Sequence, residues 1–190
     1  MDFKNDKRSV KTRRAIKIAF LKLLRTHDIS EVNITEITRN AGINRNSFYT
    51  HYKNVNNILD DINNEICSHM ETILERYSYE KITVDPHPVI ADFSKVVVNN
   101  KYITEYLLFS KSSTDLVRKL KDIICDRFYD SYIKAVSSPN PITRYVIAYI
   151  ISGVFEMYHL WYRTEKSIPI ETVTEKVSKF ILKGVSSITL

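Results

Sequence analysis

The stretch AGINRNSFYTHYK, residues 41–53, brings together side chains that suit recognition of nucleic acid. Arginine can donate two hydrogen bonds to guanine, asparagine can pair with adenine, hydroxyl groups reach phosphates, and tyrosine or threonine can contact a thymine methyl group. The stretch contains all of these types: Arg45, Asn46, Ser47, Tyr49, Thr50 and His51. This composition predicts a surface that fits a groove of DNA.

Two short helices joined by a glycine turn are predicted to position these side chains. Asn33 has the form of a helix N-cap, with Glu36 three residues later as in a capping box. Gly42 can end that helix, because glycine adopts the left-handed conformation without steric cost. Asn44 is a cap for a third helix that runs to about residue 52, with Ile43 and Phe48 turned inward. Together these elements predict a helix-turn-helix.

The flanking helices supply the apolar support for this pair. An amphipathic first helix is predicted from an apolar face at helical spacing, formed by Ile16, Ala19, Phe20, Leu23 and Leu24. Asn54 is predicted to cap a longer fourth helix. The same spacing alone would also fit an ordinary αα-corner without DNA-binding function.

Positive charge is concentrated at the start of the chain. Residues 1–53 contain 12 Lys/Arg and 5 Asp/Glu, a net charge of +7, whereas residues 54–190 contain 16 and 17, a net charge of −1. A basic module of this kind is typical of nucleic-acid binding, although basic arms also contact membranes or acidic proteins. Phosphate or minor-groove contacts are expected from a basic leader: Lys7, Arg8, Lys11, Arg13 and Arg14.

Composition and missing motifs narrow the class of protein. An apolar fraction of 44% in 190 residues supports a substantial core. No apolar run approaches the roughly 18–20 residues of a membrane span. The charged N-terminus is unlike a signal peptide. Two lone cysteines then predict reduced core residues and a cytoplasmic location. No metal-ligand, phosphate-loop or nucleophile motif is present, so neither catalysis nor a cofactor is expected. Asp60 and Asp61 are interpreted as solvated helix surface.

The run NITEITRNAGINRNSFYTHYKNVNNIL resembles the DNA-binding segment of the TetR/AcrR family of transcriptional regulators. The positions that match the family pattern in identity or class are Ile34, Ile37, Ala41, Gly42, Phe48, Tyr49, His51 and Leu59. Val55 stands where the family often has a lysine, and Thr38 where it has a packed alanine. The segments VVNNKYITEYLLFS and FEMYHLWY are similar to a C-terminal domain type common in regulators of Gram-positive bacteria.

This resemblance implies an all-α protein of about nine helices, with a helix-turn-helix DNA-binding domain (residues 1–53) and a helical regulatory and dimerisation domain (residues 54–190). It implies a homodimeric repressor that binds double-stranded operator DNA, controlled by a small-molecule effector. The residues expected at the DNA are Thr35, Arg45, Asn46, Ser47, Tyr49, Thr50, His51 and Lys53.

The second half of the chain is expected to hold the dimer surface and the sensor. A loop with Pro86 and Pro88 is predicted at 79–88, and helices at 142–163 and 170–188 are predicted to dimerise, the first of them buried on several sides because it is apolar nearly all round. Aromatic and histidine side chains could line an effector pocket: Tyr106, Phe109, Phe128, Tyr132, Phe155 and His159. Residue by residue, packing in a core or an interface is the favoured interpretation of these side chains. A protein-interaction adaptor of the same fold, controlled by a partner protein, is the alternative function.

Overall fold

The computed structural model of the chain describes residues 3–164 and 166–187, and the regular structure of this part is helical. Its α-helices are, in order, α1 (Phe3–Leu23), α2 (Ile34–Ala41), α3 (Arg45–Tyr49), α4 (Val55–Leu74), α5 (Tyr79–Val84), α6 (His87–Asn99), α7 (Lys101–Phe109), α8 (Thr114–Ala135), α9 (Ile142–Arg163) and α10 (Ile170–Ser187). Short 3-10 turns occur at Ile29–Glu31 and Lys111–Ser113. The predicted all-α fold is confirmed, with ten α-helices in the described part where the sequence predicted about nine.

Packing divides the described chain into two compact units. The first unit contains the described residues up to Cys67 together with Lys101–Leu116, and the second contains Ser68–Asn100 and the described residues from Val117 onward. Helix α7 therefore packs with the N-terminal helices, although it lies far along the sequence. The functional boundary after Lys53 stays a prediction.

The core of the first unit is built from the apolar faces of its helices. Ile16 and Phe20 of α1, Ile37 of α2, Phe48 of α3 and Ile58 of α4 are all 0% exposed. Complete burial of side chains of this size contributes about 1.5–3 kcal/mol each. The predicted apolar face of α1 is thus confirmed, and it holds α2 and α3 in place.

The core of the second unit combines apolar clusters with a buried group of hydroxyls. Ser94 donates a hydrogen bond to the carbonyl of Ile90 (2.9 Å), and its Oγ lies 2.9 Å from the Tyr158 hydroxyl and 2.8 Å from Thr174 Oγ1. Since buried hydroxyls are stable only when they are hydrogen-bonded, this group fixes α6, α9 and α10 to one another. Burial raises the pKa of Tyr158 to about 12.

The loop predicted at 79–88 was wrong, because α5 occupies residues 79–84 and α6 begins at His87. Proline is compatible with the first turn of a helix, where its missing N–H would have no intrahelical partner. Pro88 takes such a position in α6. The N–H of Tyr79 donates to Ser131 Oγ (2.8 Å), which anchors the start of α5.

Helix α9 is buried on one side and exposed on the other within the single chain, so burial on several sides is not found there. Ile151, Tyr158 and Trp161 are buried, whereas Tyr145 and Tyr149 are 74% and 76% exposed. Part of the apolar surface of α9 is therefore left uncovered by the rest of this chain.

Across the part of the chain described, every helix falls short of the combined length and apolarity that crossing a membrane requires.

Candidate DNA-binding surface

Local hydrogen bonds set the geometry of the α2–turn–α3 pair. The predicted cap at Asn33 is confirmed, since its Oδ1 accepts from the Glu36 N–H at 3.0 Å. The Glu36 carboxylate accepts in turn from Asn33 Nδ2 (3.1 Å). Gly42 ends α2 with φ 65° and ψ 36°, a left-handed conformation that favours glycine. The Ile43 N–H then donates to the Thr38 carbonyl (3.1 Å), which completes the reversal of the chain.

Helix α3 is held from both its start and its inner side. Asn44 Oδ1 accepts from the Ser47 N–H at 2.7 Å, which confirms the second predicted cap. Phe48 is 0% exposed and packs edge-on against Tyr49 and tilted against Tyr52, with ring centroids 5.5 and 6.1 Å apart. The helix ends at Tyr49 and is followed by a turn, earlier than the predicted end near residue 52.

The outer face of α3 presents polar side chains to solvent. Arg45, Asn46 and Thr50 are exposed, and Tyr49 is 47% exposed. The guanidinium of Arg45 lies 5.8 Å from the centroid of the Tyr49 ring, and its Nη2 donates to the Tyr49 hydroxyl at 3.3 Å. This cation–π contact aligns the two side chains on one face.

The remaining predicted DNA-contacting residues surround this face with differing exposure. Thr35 on α2 and Lys53 beyond α3 are exposed, whereas Ser47 and His51 are half-buried. Exposed side chains on the outer face of α3 can reach base edges, while polar groups at its border suit contacts with phosphates. The structure therefore separates the predicted set into an outer face and a rim.

An ionic cluster, formed by Arg13, Lys17, Asp61 and Tyr52, joins α1 to α4 and to the turn after α3. Asp61 accepts from Arg13 Nε (3.0 Å) and from the Tyr52 hydroxyl (2.6 Å), and Lys17 Nζ lies 2.8 Å from its Oδ2. Lys17 also pairs with Glu65 at 2.6 Å. The interpretation of Asp61 as solvated surface was wrong, since its side chain is only 20% exposed.

The spacing of the charges could have indicated this cluster. Arg13 and Lys17 are four residues apart on one helix, and Asp61 and Glu65 are four apart on another, which places each pair on one helix face. Burial by itself would raise the pKa of Asp61, but hydrogen bonds from Arg13, Lys17 and Tyr52 outweigh it and lower the pKa to about 2. Burial and the bond to Asp61 raise the pKa of Tyr52 above its usual value.

We expect Asp61→Asn to destabilise the first unit by about 1–2 kcal/mol at neutral pH, a figure reduced for solvent screening of Arg13. The pKa of Asp61 in the folded protein lies below the ordinary aspartate value of 3.8, so the stabilisation is present above that pH and is lost as the pH falls through about 2. Urea midpoints measured from pH 7 downward should therefore converge for the two proteins in acid.

The neighbouring Asp60 provides a matched control, because it is exposed and forms no ion pair within the described residues. Asp60→Asn should leave the midpoint nearly unchanged at every pH. Equal behaviour of the two variants across the pH range would show that the cluster contributes nothing measurable.

Helix α7 packs onto the same unit through three side-chain contacts. Arg25 Nε lies 3.1 Å from Oε2 of Glu105, which is only 7% exposed. Lys22 Nζ is 5.2 Å from the ring centroid of Tyr102, and the Tyr106 hydroxyl donates to Asn63 Oδ1 at 3.1 Å. No local pattern of residues indicates these contacts, since α1 and α7 are remote along the chain.

The residues predicted to line an effector pocket are distributed between the two units. Tyr106 (1% exposed) and Phe109 (47% exposed) belong to the first unit. In the second unit, Phe128 and Phe155 pack against one cluster of Leu74, Ile124 and Ile151.

Two further members of that set also belong to the second unit. Tyr132 is buried, accepts from the Asn140 N–H (2.6 Å) and contacts the Tyr79 ring. His159 is half-buried, with Nδ1 3.6 Å from Glu156. An open cavity of about 450 Å³ in the second unit is lined by other residues: Val84, Asp85, Pro86, His87, Glu175, Ser178, Lys179 and Leu182.

Comparison with known proteins identifies the class to which this fold belongs. No family model matches the chain. Over 64 residues it is 38% identical to a protein of Bacillus subtilis (strain 168) described as "Uncharacterized HTH-type transcriptional regulator YxbF", and this match spans 33% of the chain and 17% of that relative. Among solved structures, the fatty acid degradation regulator FadR from Bacillus halodurans has a TM-score of 0.68 at 14% identity, covering 91% of this chain and 95% of FadR.

Two further solved structures are similar to the chain over nearly its whole length. The TetR transcriptional regulator from Streptococcus agalactiae 2603V has a TM-score of 0.61 at 18% identity, with 95% and 97% of the chains covered. A gamma-butyrolactone receptor (ArpA-like protein) has a TM-score of 0.58 at 15% identity, with 93% and 99% covered. The chain therefore has the fold of TetR-type transcriptional regulators, and the resemblance seen in the sequence is confirmed at the level of fold. The three solved structures are described as two regulators and a receptor.

Proposed function

We propose that the protein is a homodimeric transcriptional regulator that inserts α3 into the major groove of operator DNA. The observation that carries this proposal is the exposed face of Arg45, Asn46, Tyr49 and Thr50, supported beneath by the fully buried Phe48. A helix so short can present side chains to DNA only if the surrounding unit fixes its orientation.

Specific contacts follow from the chemistry of each side chain. Arg45 is suited to guanine and Asn46 to adenine, while Tyr49 and Thr50 can meet a thymine methyl group or the sugar-phosphate edge. Contacts with backbone phosphates are assigned to Thr35, Ser47, His51 and Lys53. Residues 1–53 thus form the DNA-binding domain of the proposal, with residues 54–190 for regulation and dimerisation.

Dimerisation is assigned to residues 142–163 and 170–188, of which 188 lies outside the described residues. The exposed apolar side chains of α9 and α10 support this assignment: Ile142, Tyr145, Tyr149, Leu160, Phe180 and Leu182. Gly153 adds to the argument, because a Cβ there would meet nothing within 4 Å inside the chain. A twofold dimer would place two recognition helices about 34–36 Å apart, one turn of duplex.

Tyr149→Asp and Phe180→Asp are each expected to weaken the dimer by about 2–4 kcal/mol, because each would bury a charge in an apolar interface. Light scattering across a dilution series measures the change in dissociation constant. Val98→Asp is the matched control, since Val98 is 50% exposed on α6 and outside the proposed interface. A wild-type chain that stays monomeric at high concentration would instead favour the adaptor, with a partner protein covering this face.

A small-molecule effector is proposed to bind the regulatory domain and to shift the population between DNA-binding and released arrangements. The names of two structural relatives, a fatty acid degradation regulator and a gamma-butyrolactone receptor, support a mainly apolar small molecule. The candidate contacts remain Tyr106, Phe109, Phe128, Tyr132, Phe155 and His159. We propose that the protein is cytoplasmic and that it acts as a repressor.

Selection from a random duplex library tests the central proposal. Enriched sequences should contain two inverted half-sites whose centres are about 10 base pairs, or a multiple of this, apart. Failure to bind any duplex at low ionic strength would exclude DNA recognition by this surface.

A further inference from the structure

Helix α1 carries two sets of cationic side chains in different environments. Arg13 and Lys17 are engaged by Asp61 and Glu65 of α4 in the ionic cluster. A second set, which we call the free stripe, consists of Lys7, Lys11 and Arg14. All three are exposed, and none has an ion-pair partner among the described residues.

Helical geometry places the two sets on separate faces. Lys7, Lys11 and Arg14 have the i, i+4, i+7 spacing of a single stripe, whereas Arg13 and Lys17 lie roughly 100° around the helix at 3.6 residues per turn. Arg8 is exposed beside the stripe. The structure therefore corrects the prediction of one undivided basic leader, because Arg13 is committed to an intramolecular role.

One side chain of the ionic cluster links helix α1 to the turn that follows the recognition helix. Arg13 Nε donates to the Tyr52 hydroxyl (3.2 Å), and its guanidinium lies 5.8 Å from the centroid of that ring. Tyr52 is three residues beyond the end of α3, and Arg14 and Lys11 are within two residues of Arg13. Helix α1 is therefore anchored beside the recognition element through Arg13, and the stripe lies on the neighbouring face of the same helix, about 100° around its axis.

We propose that Lys7, Lys11 and Arg14 bind successive phosphates of one DNA strand beside the groove that α3 occupies, which rests on the proposed DNA-binding function. From Lys7 to Arg14 the helix rises by about 10 Å, whereas three successive phosphates of one strand span two intervals of about 3.4 Å, or about 7 Å along the duplex axis. The flexible lysine and arginine side chains bridge this difference. Its partner is the duplex backbone, because uncompensated cations in a regular row complement an anionic polymer without requiring a base sequence. Arg13 and Lys17 act as positioning residues that fix the angle of α1.

Salt dependence of DNA binding tests the proposal without knowledge of the operator. The dissociation constant for a random-sequence duplex of about 30 base pairs is measured over a potassium chloride series, for the wild-type chain and for the combined variant Lys7→Gln, Lys11→Gln, Arg14→Gln. The slope of log K against log salt should decrease by about 0.9 for each contact removed, or about 2.7 per bound chain.

A charge-matched variant controls for the change in net charge. Lys119→Gln, Arg127→Gln, Lys134→Gln removes three exposed cations from α8 and should leave the slope within about 0.3 of the wild-type value. The conservative variant Lys7→Arg, Lys11→Arg, Arg14→Lys should also retain it, which excludes a purely structural effect. Circular dichroism should give the same unfolding temperature for all four proteins.

The outcomes separate this proposal from the one on which it depends. A wild-type chain that ignores DNA would overturn the DNA-binding function itself. DNA binding with equal slopes for wild type and the free-stripe variant would overturn only the role of the stripe. Stripe-dependent binding to vesicles containing an anionic lipid, with an unchanged slope on DNA, would likewise overturn it and assign the stripe to a membrane surface.

Discussion

Replacing Phe48 by alanine is expected to destabilise the first unit by about 3–5 kcal/mol, the usual cost of removing a fully buried aromatic side chain. Phe48 is 0% exposed and contacts two neighbouring rings. Helix α3 has five residues, far below the roughly 12–15 at which an isolated helix becomes marginally stable. Packing around Phe48 is therefore what keeps the recognition helix formed.

Hydrogen exchange measures this effect where it arises. Amide protection across residues 34–60 should fall by about two to four orders of magnitude, while protection in α9 and α10 stays unchanged. Phe48→Leu, which keeps most of the apolar volume, should cost about 1 kcal/mol. Unchanged protection in Phe48→Ala would mean that the core of the first unit does not depend on this ring.

Features set by neighbours in sequence were predictable from the residues. The caps at Asn33 and Asn44 and the left-handed turn at Gly42 each involve atoms within four residues, so the amino-acid types alone determine them. The inward position of Phe48 follows from helical spacing. For these reasons the sequence predicted the helix-turn-helix with the starts of both helices and the turn between them in the right places.

Contacts between distant segments were not predictable in the same way. Arg13 and Asp61 are 48 residues apart, and nothing local to either side chain reports the other. Reading Asp61 as solvated surface failed because charge on a helix is usually exposed, and only the matching i, i+4 spacing of the two partner helices favours an interhelical pair. The contact of Arg25 with the buried Glu105 belongs to the same class.

Short elements and pocket residues illustrate a further limit. Helix α5 has six residues, and tertiary contacts such as the hydrogen bond from Tyr79 to Ser131 stabilise it. The prediction of a loop rested on Pro86 and Pro88, which do not report such contacts. Aromatic composition indicated a sensor but could not decide which rings share a cluster. Phe128 and Phe155 pack against the same cluster, whereas Tyr106 belongs to the other unit.

Tyr49→Ala is expected to weaken operator binding by about 1–3 kcal/mol, a loss of roughly 5- to 150-fold in affinity. Tyr49 is 47% exposed on the outer face of α3, and it adds to the core through its edge-on contact with Phe48. Stability should therefore fall by much less than in Phe48→Ala, and dimerisation should be unaffected because the proposed dimer surface is elsewhere. Fluorescence anisotropy with a selected duplex gives the affinity, and light scattering gives the oligomeric state.

The contact between Arg45 and Tyr49 makes the effect larger than the loss of one side chain. In the free protein the Tyr49 ring and hydroxyl both hold the Arg45 side chain, which reduces the conformational entropy that arginine would lose on binding guanine. Tyr49→Phe keeps the ring and loses only the hydroxyl, so it should retain most of the affinity. A double-mutant cycle with Arg45→Ala should show non-additive losses, with a coupling of at least about 0.5 kcal/mol.

The cycle also distinguishes two explanations for a weak Tyr49→Ala variant. If Tyr49 acted only through its own contact with DNA, the losses from the two substitutions would add and the discrimination at the guanine position would be unchanged. If it acts by holding Arg45, Tyr49→Ala should relax specificity at that base pair as well as lower affinity. Wild-type affinity in Tyr49→Ala would remove α3 from the DNA interface, because no other exposed aromatic ring lies on its outer face.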